Sequence, residues 1–139
     1  MYSSHHSRTG AGVYARVGVE TRAMSASPLQ LIHMLFDGAK TAIGAARLHM
    51  TAGDIGAKGQ AISKAINIVD NGLKASLDAE AAGEAGGDIV GNLSSLYDYV
   101  VQRLLLANLR NDVQALDEAD RLLDHLASAW REIDDRPSN

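Results

Sequence analysis

Cysteine is absent from all 139 residues, which removes disulfide scaffolds, thiolate zinc sites, thiol nucleophiles and covalent haem attachment together. Proline is nearly as scarce. Pro28 and Pro137 are the only two, so nothing between them breaks a helix by removing an amide donor. A long apolar run is missing as well. The first ten residues, MYSSHHSRTG, are polar and lack the stretch that an export signal or a membrane span needs, which predicts a protein that stays in the cytoplasm. Clustered basic charge is also lacking: the formal charge is -4, the pI is about 5.6 and the 13 Lys and Arg residues are scattered, which argues against phosphate recognition and hence against nucleic acid. A chain of this length buries a real core as one domain without metal or disulfide staples.

What remains is a sequence punctuated by glycine, asparagine and aspartate. Ser27-Pro28 opens the first helix, with the serine able to accept from free amides and the proline pre-set in φ at the first helical position. Thr51-Ala52-Gly53-Asp54 reads as a glycine stop followed by an aspartate cap, and Asn111-Asp112 reads the same way, with asparagine suited to the left-handed position. Links this short make antiparallel neighbours. Ala81 to Asp88, rich in glycine, is the longest and softest link. The spacing predicts an all-α, antiparallel four-helix bundle over 27–134, with helices at about 28–52, 55–80, 88–109 and 112–133, a mobile leader at 1–26 and a disordered tail at 135–139. Gly56 and Gly59 each cost about 1 kcal/mol in a helix interior and predict a frayed start to the second helix.

One apolar stripe per helix faces the interior. It is Ile32, Phe36, Ala39, Ile43, Ala46 and Met50 on the first; Ile62, Ile66, Val69, Leu73 and Leu77 on the second. On the third it is Ile89, Leu93, Leu96, Tyr97, Val100, Leu104 and Ala107, and on the fourth Leu116, Ala119, Leu123, Leu126, Trp130 and Ile133. The fourth helix has nothing apolar to spare. The first three do. Leu31, Met34, Leu35, Gly38, Ala42 and Ala45 widen the apolar arc of the first to roughly 200°, against the ~100° that a surface helix needs. Small residues including Gly72, with Ile68, flank the second stripe, and Val90, Tyr97, Val101 and Leu105 flank the third, with Tyr99 and Leu106 on its other side. Neighbouring helices account for any one of these positions, since bundle helices pack along two seams. Three wide arcs beside one narrow arc predict a groove for an amphipathic or extended polypeptide, lined by Leu31, Met34, Leu35, Ile68, Gly72, Tyr97, Val101 and Leu105.

Catalytic patterns are missing. There are no Glu-x-x-His pairs for a di-metal bundle, Ser94 and Ser95 have no histidine base near them in sequence, and Gly83 to Gly87 follows a helix rather than a strand and lacks a phosphate-loop lysine. The nearest constellation is His33 and Asp37, four apart on the first helix, with His49 further along. A solvated polar face explains them, and a small helical-bundle metal protein or enzyme is the alternative. The sequence predicts no catalytic residue, metal or cofactor.

Ala26-Ser27-Pro28-x-x-Leu31-Ile32-x-Met34-Leu35-Phe36-Asp37-Gly38-Ala39 is followed in order by Ser76-Leu77-Asp78, Gly83-Glu84, Asn92-Leu93, Leu96-Tyr97-x-Tyr99, Ala107-Asn108, Asn111-Asp112 and Trp130-x-Glu132-Ile133. In these motifs, over nearly its whole length, the chain resembles the flagellar secretion chaperones, cytoplasmic proteins that bind flagellin before its export. It departs from them at Gly83-Glu84-Ala85-Gly86-Gly87, which is longer or rearranged relative to the family's usual glycine-glycine-glutamate. The resemblance implies a non-enzymatic export chaperone whose client is the disordered C-terminal segment of flagellin, wrapped around the bundle and partly helical in its grooves. It also implies flagellar export-gate or regulatory proteins as further partners, and a leader that folds over the groove when no client is bound, for which Val13, Tyr14, Val17 and Val19 are the candidates. Spare apolar stripes also admit a weak homodimer in place of a monomer.

Overall fold

A computed structural model of the chain describes residues 27–77 and 87–134, with the side chains of 27–77 and 91–132. The expected leader, the tail and most of the glycine-rich link lie outside the described residues, as do the side chains of Ile89, Val90 and Ile133. The chain divides into two units, Met1–Leu31 and Ile32–Asn139. Of the first, the described part is the opening of helix α1, Pro28–Ala52. There the Ser27 amide donates to Gln30 Oε1 at 2.8 Å while the Gln30 amide donates to Ser27 Oγ at 3.2 Å, a reciprocal cap that satisfies two donors otherwise left free at a helix start.

The second unit holds the packing. Helix α2, Ile55–Asn67, runs without interruption into a π-helical stretch, Ile68–Lys74, and on to residue 77. Helices α3, Gly87–Arg110, and α4, Val113–Asp134, complete the set, and among the described residues there is no strand. Both short links form as their residues dictate. Gly53 takes φ +76° and the Asp54 carboxylate accepts from the Ala57 amide at 3.1 Å; Asn111 takes φ +52° and the Asp112 carboxylate accepts from the Gln114 and Ala115 amides.

Contacts between helices fix an up-down-up-down ring. Leu35 and Gly38 of α1 meet Gly72 and Ile68 of the π-helical stretch. Lys58 of α2 bonds the Asn108 carbonyl, and Lys74, sixteen residues later, pairs with Asp98, ten residues earlier on α3. Arg103 of α3 pairs with Glu118 of α4, while Trp130 Nε1 donates to Tyr97 Oη at 3.1 Å. Lys40 reaches Asp120 and Asp124, both at 2.7 Å, and Arg47 reaches Asp117 at 2.6 Å, closing α4 onto α1. In each pair a later residue on one helix meets an earlier one on the next, the signature of antiparallel neighbours.

The interior is aliphatic, with Phe36 and Tyr97 at its aromatic end, their centroids 6.4 Å apart and their planes tilted by 47°. Burial pushes the Tyr97 phenol pKa up, and the Trp130 N–H opposes this in part. Most expected inward residues are buried, with departures that have physical reasons. On α2 and its continuation the buried apolar set is Ile62, Ala65, Val69, Leu73 and Leu77, with Ile66 only half-buried. From Ala65 onward the interval is four residues, which drifts around an ordinary helix of 3.6 residues per turn. The wider π-helical turns absorb the surplus and keep all four on one face. Met50, Leu93 and Trp130 are half-buried and Leu96 is exposed, because stripes near helix ends and flanks run past the partner that would cover them. The start of α2 is anchored rather than frayed: Lys58 is 3% exposed and its ammonium donates to the Asn108 carbonyl and to Asn111 Oδ1.

Two predictions concern stability. Partial burial pulls the Lys40 pKa down, but the hydrogen bonds and charges of Asp120 and Asp124 outweigh it and leave the pKa above the ordinary 10.5. The ion pairs therefore contribute fully at neutral pH, and their contribution is lost as pH rises through the raised value. Lys40→Gln should lower urea-unfolding stability at pH 7 by at most ~1 kcal/mol, since these groups are partly solvated, and the difference should vanish in molar salt and in strong alkali. Glycine substitutions should split in sign. Nothing lies within 4 Å of a Cβ built on Gly44 or Gly53, but only Gly53 has positive φ; Gly44→Ala should raise stability by about 0.5–1 kcal/mol and Gly53→Ala should lower it by about 1 kcal/mol, both read from thermal melts.

Candidate functional site

Helix α1 places its flank residues Leu31, Met34 and Leu35 half in solvent and half against protein. Within the second unit, Leu35 does the most. A Cβ built on Gly72 would sit 3.0 Å from Leu35 Cδ2, and one on Gly38 would sit 3.4 Å from Ile68 Cδ1. Each glycine is thus a shelf for a branched side chain of the other helix. The space that Gly72 offers is filled by the chain's own Leu35, and Met34, Leu35, Gly38, Ile68 and Gly72 form one partly solvated seam rather than an open trough.

Helix α3 carries the more exposed surface. Val101 is half-buried and Leu105, one turn on, is 54% exposed. Both lie between Asp98 and Asn108, the residues that bond to Lys74 and Lys58, so they belong to the flank of α3 that faces α2. Tyr97 does not join them. It is 1% exposed beneath Phe36 and Trp130, so of its two expected positions, inward and on the flank, the inward one is observed. Its burial takes it out of reach of a surface partner and makes it a support for the helix that presents Val101 and Leu105. The expected leader residues Val13, Tyr14, Val17 and Val19 lie outside the described residues.

Seven large apolar side chains are exposed among the described residues, and Leu105 alone of the expected groove residues is one of them. Leu96 and Tyr99 line the side of α3 toward α4, where the Tyr99 hydroxyl donates to Glu118 Oε1 at 2.6 Å and the neighbouring carboxylate raises the phenol's pKa. The others, Leu48, Ile55, Leu109 and Val113 with Leu105, lie within a few residues of the two tight links. Sequence reasoning overlooked this end of the bundle, although a β-branched or leucine side chain directly beside a helix cap was the available signal. A cleft of about 240 Å³ opens there, walled by His49, Met50, Gly53, Asp54, Ile55, Lys58 and Asn111. A second cleft, of about 370 Å³ between α3 and α4, is walled by Arg103, Gln114, Asp117, Glu118 and Arg121. It is polar, and its charges are largely spent on the Arg103–Glu118 and Arg47–Asp117 pairs.

The metal alternative fails on geometry. α1 is one uninterrupted helix, so the 16 residues from His33 to His49 separate them by roughly 24 Å at 1.5 Å per residue. His33, Asp37 and His49 cannot meet at one ion. Among the described residues no group of three His, Cys, Asp or Glu is placed to hold a metal. Nor is any described helix long and apolar enough to cross a membrane.

The family described as Flagellar protein FliS matches residues 10–137. The chain is 56% identical over 133 residues to the flagellar secretion chaperone FliS of Salmonella typhimurium, covering 96% of each protein. It is 49% identical over 123 residues to that of Escherichia coli, covering 88% of each. With FliSB of Pseudomonas aeruginosa the identity is 39% over 117 residues, 84% of this chain and 89% of the relative. These relatives are named chaperones, a non-enzymatic role, and the chain belongs to the FliS family of flagellar secretion chaperones.

Proposed function

We propose that this chaperone binds the C-terminal disordered segment of flagellin in the cytoplasm, keeps it from polymerising prematurely and passes it to the flagellar type III secretion apparatus. The observation that carries the reading is the α3 flank of Leu105, exposed beside half-buried Val101, in a family whose relatives are named flagellar secretion chaperones. Ordering a disordered segment costs about 1–2 kcal/mol per residue in backbone entropy. Burial of apolar area, at ~25 cal/mol per Å², is the compensation on offer, and a bundle polar on every outer face could not supply it. The seam of Met34, Leu35 and Ile68 offers a second stretch of such area, made available when a client side chain displaces Leu35 from the Gly72 shelf.

A peptide spanning the flagellin C-terminus, titrated calorimetrically into the whole chain, should bind with a negative heat-capacity change. Leu105→Asp sits at an exposed position and should leave the melting temperature within a few degrees of the parent while weakening the peptide at least tenfold, since a carboxylate would be desolvated in the contact. Absence of both heat and a co-eluting complex on gel filtration would overturn the reading. Unchanged affinity in the variant would remove the α3 flank from it.

A further inference from the structure

We infer that the bundle opens along the seam between α1 and α2, at the end away from the Gly53-Asp54 link, with the π-helical stretch as the moving part. The other three joins of the ring are fastened by polar groups. Lys58 and Lys74 tie α2 and its continuation to α3, Arg103 and Trp130 tie α3 and α4 together, and Lys40 and Arg47 tie α4 to α1. The α1–α2 join is apolar instead. Leu35 lies over Gly72 and Ile68 over Gly38, and among the described residues no side-chain hydrogen bond or ion pair runs from α1 to α2 or its continuation. This join can part with every one of the other pairs intact.

The surplus residue of the Ile68–Lys74 stretch sits at this same join. Just beyond it the Ala75 amide reaches only three residues back, to the Gly72 carbonyl, which also accepts from Ser76 Oγ at 2.7 Å. A backbone ladder that changes interval within one turn, with a hydroxyl able to hold the carbonyl while amides exchange partners, is where a helix bends or slips by a residue. Position favours the same motion. The Gly53-Asp54 link pins one end of the two helices, whereas Gly38 and Ile68 lie roughly 20 Å along them from it, at 1.5 Å per residue. Opening uncovers both glycine shelves and frees Leu35 and Ile68. Use of that surface by a client rests on the flagellin reading; the opening itself does not.

Native-state hydrogen exchange on the whole chain should show the amides of Val69 to Leu77 exchanging about tenfold or more faster than those of Ile62 to Ile66 and of Leu116 to Leu123. Leu35→Cys combined with Gly72→Cys puts a single thiol pair into a chain that has no other cysteine. A Cβ on Gly72 lies 3.6 Å from Leu35 Cγ, the place one sulfur would take, a span that a disulfide closes with little movement. Oxidised, this variant should exchange Val69 to Leu77 about tenfold more slowly than when reduced. Deletion of Asp70, exposed between Val69 and Leu73, leaves the buried residues at intervals of three, four, three and four, the pattern of an ordinary helix. It should slow the same amides without lowering the melting temperature. Equal protection along α2 and its continuation in the parent, or exchange that neither the disulfide nor the deletion slows, would overturn the proposal. The flagellin peptide then separates the two readings. Affinity lost on oxidation and restored on reduction ties the opening to the client, equal affinity in both states removes the client from it, and a parent that binds no peptide sinks the flagellin reading while the exchange result decides the opening.

Discussion

Four apolar stripes, each buried along one side of its helix, hold this molecule together, and the alanines within them set how closely the helices approach. Ala39, Ala46, Ala65, Ala107 and Ala119 are wholly inaccessible and stand among Ile43, Ile62, Leu104 and Leu123, equally buried. Small residues among branched ones let helices interdigitate closely, and Phe36 and Tyr97 are the large aromatic side chains buried with them. Every other feature follows from that commitment. Once the inward face of a helix is spent on the core, its flanks must find cover from a neighbour, a partner or water.

The seams around the ring solve that problem differently. α4 meets α1 through Lys40, Arg47 and the aspartates at 117, 120 and 124, a polar closure that matches the narrow apolar arc of α4. α1 meets α2 through reciprocal glycine shelves, where Leu35 and Ile68 cover each other's small residues. α3 meets α2 through polar contacts at Lys58 and Lys74, with apolar Val101 and Leu105 between them. A chaperone needs apolar area that is accessible yet does not drive self-association, and short apolar stretches fenced by polar contacts meet both demands. The flank between Lys74–Asp98 and Lys58–Asn108 has that form.

Much of this was legible in the chain. Ser27-Pro28, Gly53-Asp54 and Asn111-Asp112 placed helix ends because capping and left-handed φ are local properties of two or three residues. Phe36, Ile43, Leu104, Leu116 and Leu123 announced the core because a period of 3.6 is visible without knowing the partner helix. The π-helical stretch was written in the four-residue interval of Ala65, Val69, Leu73 and Leu77, but it shows only once Ala65 displaces Ile66 as the inward residue. The candidate site was less legible. A wide arc tells how much apolar surface a helix carries, not how its neighbour covers it, so Leu105 emerged exposed while Gly72 was found beneath Leu35 and Tyr97 inside.

The sequence by itself determined the helical class, the caps, the inward stripes and the lack of thiol chemistry, since each rests on residue type and local spacing. Only the tertiary structure decided which flank residues meet water, that Gly72 would lie beneath Leu35, and that Lys58 would be buried against the end of α3, 50 residues away. The physical reason is the same in each case: periodicity fixes the direction of a side chain around its own helix axis, while exposure, pairing and convergence depend on what another helix brings to that side.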